Sequence, residues 1–126
     1  MKSLLFSFEG RVNRAKFWLV AVGVVVLEMI VFALIGGGSM MSADPGSISM
    51  PSFGVMGVVA LLVLIVAFWI SLAIAVKRWH DRGKSGWWVL IALVPVIGGF
   101  WYIIECGFLK GTTGANAYGA DPLATV

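Results

Sequence analysis

Residues 77–88 read Lys77-Arg78-Trp79-His80-Asp81-Arg82-Gly83-Lys84-Ser85-Gly86-Trp87-Trp88, and this polar stretch stands between two long apolar runs. It holds four of the nine Lys and Arg of the 126-residue chain, and its only His. Gly83 suits a helix stop and Ser85 the start of the next helix, while Trp79, Trp87 and Trp88 suit the aromatic belt of a membrane boundary. The stretch is therefore expected to be a tight basic turn between antiparallel membrane helices.

The flanking runs set the class. With 60% apolar and 12% charged residues and a mean hydropathy of +1.01, the composition is that of a membrane protein rather than a soluble domain. Residues 54–76 contain no charge and are long enough to cross a hydrocarbon core of about 30 Å. Within them Ala60, Ala67, Ser71 and Ala75 line small side chains along one face, which predicts close helix packing. Residues 17–36 form a further run broken only by Glu28, and its Leu, Ile, Val and Phe outweigh the insertion cost of one acid. This run is too long for the apolar core of a signal peptide and is expected to stay in the mature protein.

The third run, residues 87–109, contains Pro95, Gly98, Gly99 and, near its end, Glu105. A full span kinked at 95–99 is the preferred reading, and a re-entrant hairpin is the alternative. The predicted fold class is thus all-α integral membrane with three transmembrane helices. The organisation is a basic segment at 1–16, spans at 17–36, 54–76 and 87–109, an outer loop at 37–53, the basic turn at 77–86, and a tail at 110–126 rich in turn formers. Asn13 is a cap for the first span, and Leu4, Phe6 and Phe8 suggest a short interfacial helix or strand.

Charge counting gives orientation. Four Lys and Arg precede the first span, none lies in the first loop, four lie in the basic turn, and Lys110 follows the third run. The positive-inside rule places the N-terminus and the turn in the cytoplasm. Three full spans leave the tail outside, and a hairpin returns it.

Four motifs occur in order: Gly10-Arg11-x-Asn13-Arg14-x-x-Phe17-Trp18; Arg78-x-His80-Asp81-x-Gly83-x-Ser85-Gly86-Trp87-Trp88; Pro95-x-x-Gly98; and Gly114-x-Asn116-x-Tyr118-Gly119-x-Asp121-Pro122. The chain resembles the domain-of-unknown-function 805 family, the YhaH-like small bacterial inner membrane proteins. The resemblance covers nearly everything outside the first loop. It implies location and architecture, and no activity. Asn13, Lys77, Trp79, Lys110, Ala117 and Ala120 stand where the family pattern has Ser, Arg, Leu, Pro, Arg and Pro.

No reaction centre follows from these residues. Gly83-Lys84-Ser85 imitates the end of a phosphate-binding loop, but Arg78 stands where its first Gly belongs and no buried strand precedes it. His80-Asp81 lacks a second His, a second Cys or a positioned nucleophile, so Asp81 is expected to pair with Arg11, Arg14 or Arg78. Cys106 alone makes no disulfide or multi-cysteine site. No catalytic, metal or cofactor residues are assigned, and nucleic acid is not an expected partner.

Arg11, Arg14, Lys16, Lys77, Arg78, Arg82 and Lys84 are the candidate contacts to anionic lipid headgroups or to a partner, which includes a second copy of the chain. The two basic segments are expected to meet with Asp81 and Glu9 between them. Glu28, His80 and Asp81 are the candidate structural or functional polar groups, with Glu28 facing the third run or a second copy. The expected role is a non-enzymatic membrane module binding lipid, itself or another membrane protein. A transporter or channel subunit using Glu28 and the break at 95–99 is the alternative.

Overall fold

The computed structural model describes residues 2–41 and 54–124, so the connection at 42–53 lies outside them. The described residues are all-helical, apart from one isolated bridge between Asn116 and Gly119. The first helix, α1, is a short segment at Lys2–Phe6. Then come the two long helices, α2 at Arg14–Met41 and α3 at Val55–Asp81, both apolar and long enough to cross a membrane.

Each long helix starts or stops where its sequence provides the means. Asn13 Oδ1 accepts the Lys16 N–H at 2.9 Å, satisfying one of the donors that a helix start leaves open. At the far end of α3, Gly83 takes φ +75° while the Lys84 N–H reaches back to the Trp79 carbonyl at 2.9 Å. This left-handed closure is available to Gly without strain. Lys77 Nζ turns towards the Ser3 and Leu4 carbonyls, which binds α1 to α3.

The α2–α3 contact follows a stripe of small and branched residues. On α3, Ala60, Ala67, Ile74 and Ala75 are buried. On α2, Val20, Ala21, Val24, Glu28, Val31 and Ile35 are half-buried at helical spacing, and the residues between them are mostly exposed. The tightest packing is at the basic end, where Val12, Phe17, Ile74, Trp79 and Cys106 form the core, with Val89, Ile91 and Tyr102 against it.

The third run does not form the preferred kinked span. Ser85 Oγ accepts the Trp87 N–H, and a 3-10 limb runs over Gly86–Leu93. Pro95 holds Val94 extended at ψ 119°, as the residue before a proline must be. Val96 then sits at φ 64°, ψ −64°, and the Ile97 N–H reaches the Pro95 carbonyl at 2.7 Å. That is a classical γ-turn, a strained reversal seldom adopted by a β-branched residue. The chain returns through α4 at Ile97–Tyr102 and a π-helical turn at Ile103–Phe108.

The two limbs cross closely at Gly98, where an added Cβ would lie 1.8 Å from the Ile91 carbonyl oxygen. Eight residues of 3-10 helix rise about 16 Å, and the returning twelve, six α and six π, rise about 18 Å at ordinary helical pitch. Each limb thus reaches about half of a hydrocarbon core of some 30 Å. Both ends of the hairpin lie at the basic end, and the tail lies there too.

Candidate functional site

At the basic end four segments meet on one ion cluster. Asp81, on the last turn of α3, pairs with Arg11 at 3.0 Å and with Arg78 one helical turn back. The three side chains are at most 4% exposed. Each guanidinium is also spent on backbone carbonyls. Arg78 donates to Cys106 O at 2.6 Å and to Leu109 O, capping the end of the π turn. Arg11 donates to Gly114 O at 2.6 Å and to Thr112 O, so it holds the start of the tail. A buried charge is tolerated only when its hydrogen-bonding capacity is filled in this way.

The tail completes the cluster from above. The Thr112 N–H donates to Asp81 O at 2.6 Å. Gly111 passes so close over the Asp81 carboxylate that an added Cβ would stand 2.0 Å from Oδ2. Asn116 Nδ2 donates to His80 O at 2.8 Å, and the Tyr118 ring stacks on the His80 ring at 4.0 Å. Asp121 accepts from the Leu123 and Gly114 N–H groups at 2.9 Å each, closing the tail into a loop. These bonds favour the carboxylate and hold Asp121 below the ordinary aspartate range.

Glu105 forms a second ionic group beside the first. Its Oε1 meets Lys84 Nζ at 2.7 Å and Arg82 Nε at 3.1 Å. Burial opposes its charge, yet the Lys84 and Arg82 hydrogen bonds outweigh that and hold the carboxyl below its usual range. Lys84 also lies over the Trp88 and Trp79 rings, at 4.9 and 5.6 Å from their centroids.

The expected residues therefore divide. Arg11, Arg78 and Asp81 come together as the sequence suggests, and His80 lies beside them under the tail. Lys77, expected at the surface, is buried and bound to α1. Arg82 and Lys84 are taken by Glu105. Arg14 reaches Phe108 O at 2.9 Å, and Lys16 is exposed. Glu9 is exposed and joins no ion pair among the described residues, so Asp81 alone stands between the basic segments. Glu28 lies apart, half-buried on the α2 stripe, without an ion pair or hydrogen bond to its side chain among the described residues.

Sequence reasoning missed Glu105, placing it near the outer end of a straight span. The available signal was its position about ten residues beyond a Pro-Gly break, the length that brings it back level with Lys84. The carbonyls of Cys106, Leu109, Thr112 and Gly114 carry no sequence signal. Trp79 stands where the family pattern has Leu, and its Nε1 is buried without a partner among the described residues. Among the described residues no three His, Cys, Asp or Glu gather as metal ligands would.

Two apolar helices, a basic end locked by buried ion pairs and a chain of this composition define a small helical transmembrane protein. The chain belongs to the DUF805 family of proteins of unknown function, whose model matches residues 5–120. It is 32% identical to the inner membrane protein YhaI of Escherichia coli strain K12, over 92% of this chain and 86% of that one. It is 29% identical to the inner membrane protein YhaH of the same strain, over 92% and 87%, and 28% identical to its uncharacterized protein YiiR, over 93% and 86%. No solved structure matches.

Proposed function

We propose that the chain is a non-enzymatic module of the bacterial inner membrane that binds lipid, its own copies or another membrane protein. The observation that carries this is the engagement of the motif residues with one another. Arg11, Arg78, Asp81 and Glu105 are paired internally, so the polar end acts as a lock on the fold and leaves the apolar exterior as the surface offered to others. The basic end faces the cytoplasm, supported by the absence of Lys and Arg from the first loop, and the third run is re-entrant from that side.

Crosslinking in intact membranes followed by copurification tests the role. A specific protein or a second copy recovered repeatedly supports it, and metal- or nucleotide-dependent turnover by the purified chain defeats it. For orientation, cysteines are placed at Ser39, Ser85 and Ala117 in a Cys106→Ser background. Labelling from outside is expected at position 39 alone. Outside labelling at 117 would remove the re-entrant hairpin, and at 85 the orientation.

A transport role is the second reading, favoured by one observation: Glu28 has no partner among the described residues in the middle of an apolar helix. Proton or ion flux in liposomes that is lost in Glu28→Gln would move it ahead.

A further inference from the structure

Between α3 and the 3-10 limb lies a groove of about 520 Å³. Leu72, Val76, Val89 and Leu90 form its walls, and His80 and Ser85 lie at one end. Leu72, Val76 and His80 follow at four-residue spacing and share a face, about 12 Å from first to last. On the opposite limb Ser85 begins the run and Leu90 lies deeper. The groove is thus apolar at depth and polar at the basic end, the polarity of a lipid in its own leaflet.

The polar end has unfilled capacity. His80 Nδ1 lies 3.1 Å from Gly10 O, and a carbonyl only accepts, so Nδ1 carries the hydrogen and Nε2 is left as an acceptor in the neutral ring. Nε2 has no partner among the described residues. The Tyr118 stack, with ring planes 2° apart, fixes the direction in which it points. Beside it stands Gly86, where an added Cβ would lie 3.5 Å from Nε2 and 2.7 Å from Val76 Cγ1. Ser85 Oγ accepts from the Trp87 N–H and keeps its own hydrogen to donate.

We propose that this groove holds one acyl chain of a cytoplasmic-leaflet phospholipid, with Ser85 donating to its phosphodiester and His80 Nε2 accepting from a headgroup N–H or O–H. This rests on the lipid-binding part of the proposed function and names the lipid chemistry. Ethanolamine and glycerol headgroups both supply the donor that Nε2 lacks. A choline headgroup supplies none.

The test is native mass spectrometry of the full, delipidated chain given phosphatidylethanolamine, phosphatidylglycerol or phosphatidylcholine with the same acyl chains. One lipid per chain should survive, and the first two should be retained about fivefold more than the third, the worth of one hydrogen bond. His80→Phe keeps the ring stack and should make the three equal. Leu90→Trp fills the groove from a half-exposed position and should lower retention of all three, whereas Leu19→Trp, on an exposed face of α2, should not. Equal retention in the two Trp variants would show annular lipid only and overturn the proposal. A dimer lost in Leu90→Trp with lipid unchanged would assign the groove to a second copy and overturn it too. Either failure leaves the crosslinked-partner test of the proposed function standing.

Discussion

At the basic end Arg11, Arg78 and Asp81 are buried, and each of these three charges has an opposite charge beside it. Fourteen positions into α2, about 21 Å from its start, Glu28 is half-buried with no ion pair or hydrogen bond to its side chain among the described residues. The same helix pair thus handles polarity in two ways. Near the membrane surface the ions bind segments distant in sequence, because Arg11 and Asp81 are seventy residues apart and Arg78 reaches the end of the returning limb. At mid-membrane the contact is one of small residues, and it sets helix spacing without fixing where the third run goes. Topology is decided at the charged end.

Breaking that end should have the largest effect. Asp81→Asn leaves two buried guanidinium groups without their counter-charge, for which a loss of about 3–5 kcal/mol is expected. Lys84→Gln removes a partly exposed partner of Glu105 while Arg82 remains, and should cost less than about 1 kcal/mol. Thermal unfolding of both variants in the same detergent measures the difference. Equal losses would mean that Asp81 organises nothing.

The next effect lies at the hairpin crossing. Gly98→Ala drives a methyl into the Ile91 carbonyl, whereas a Cβ at Gly99 meets nothing within 4 Å. A cost of about 1–3 kcal/mol is expected for the first, and only a small change for the second. If the two adjacent substitutions behave alike, the limbs do not cross as described.

Much of the basic end is legible in sequence because its signals are local or additive. Asn13 before an apolar run, Gly83 after one and Ser85 before the next are stop and start chemistry. Asp81 among arginines is arithmetic. The hairpin is not legible in the same way, because an apolar run of spanning length has the same composition whether it crosses or returns. Val96 carries the reversal at a positive φ that its side chain disfavours, so local propensity points away from it. A straight run would carry Glu105 away from the basic end, whereas the reversal brings it to Lys84 and Arg82. The tail's turn formers announce a loop, but its seat depends on carbonyls that every residue has.

Val96 gives a smaller prediction of opposite sign. A strained γ-turn residue stores about 1–3 kcal/mol, and glycine adopts the same backbone at an entropic cost of about 0.5–1 kcal/mol. Val96 is 75% exposed, so little packing is lost within the chain. Val96→Gly should therefore raise stability by about 1 kcal/mol in the same thermal assay. A loss would show that the valine is not strained there.

The smallest effect belongs to Asp121, which closes the tail loop at the exposed edge of the cluster. Its carboxyl is depressed below 3.8 by the Leu123 and Gly114 N–H groups. A depressed carboxyl contributes stability in full above its unfolded value and loses it as pH falls through the folded one. Tail closure should therefore be constant from neutral pH down to about 4 and weaken only below that. Hydrogen exchange at the Gly114 and Leu123 amides, corrected for intrinsic rate, reads this locally. Asp121→Asn keeps one acceptor oxygen and removes the titration, so its two amides should exchange faster at neutral pH and lose the acid step. If the variant retains the step at the same pH, another group releases the tail, and Glu105, held low by Lys84 and Arg82, becomes the residue to replace next.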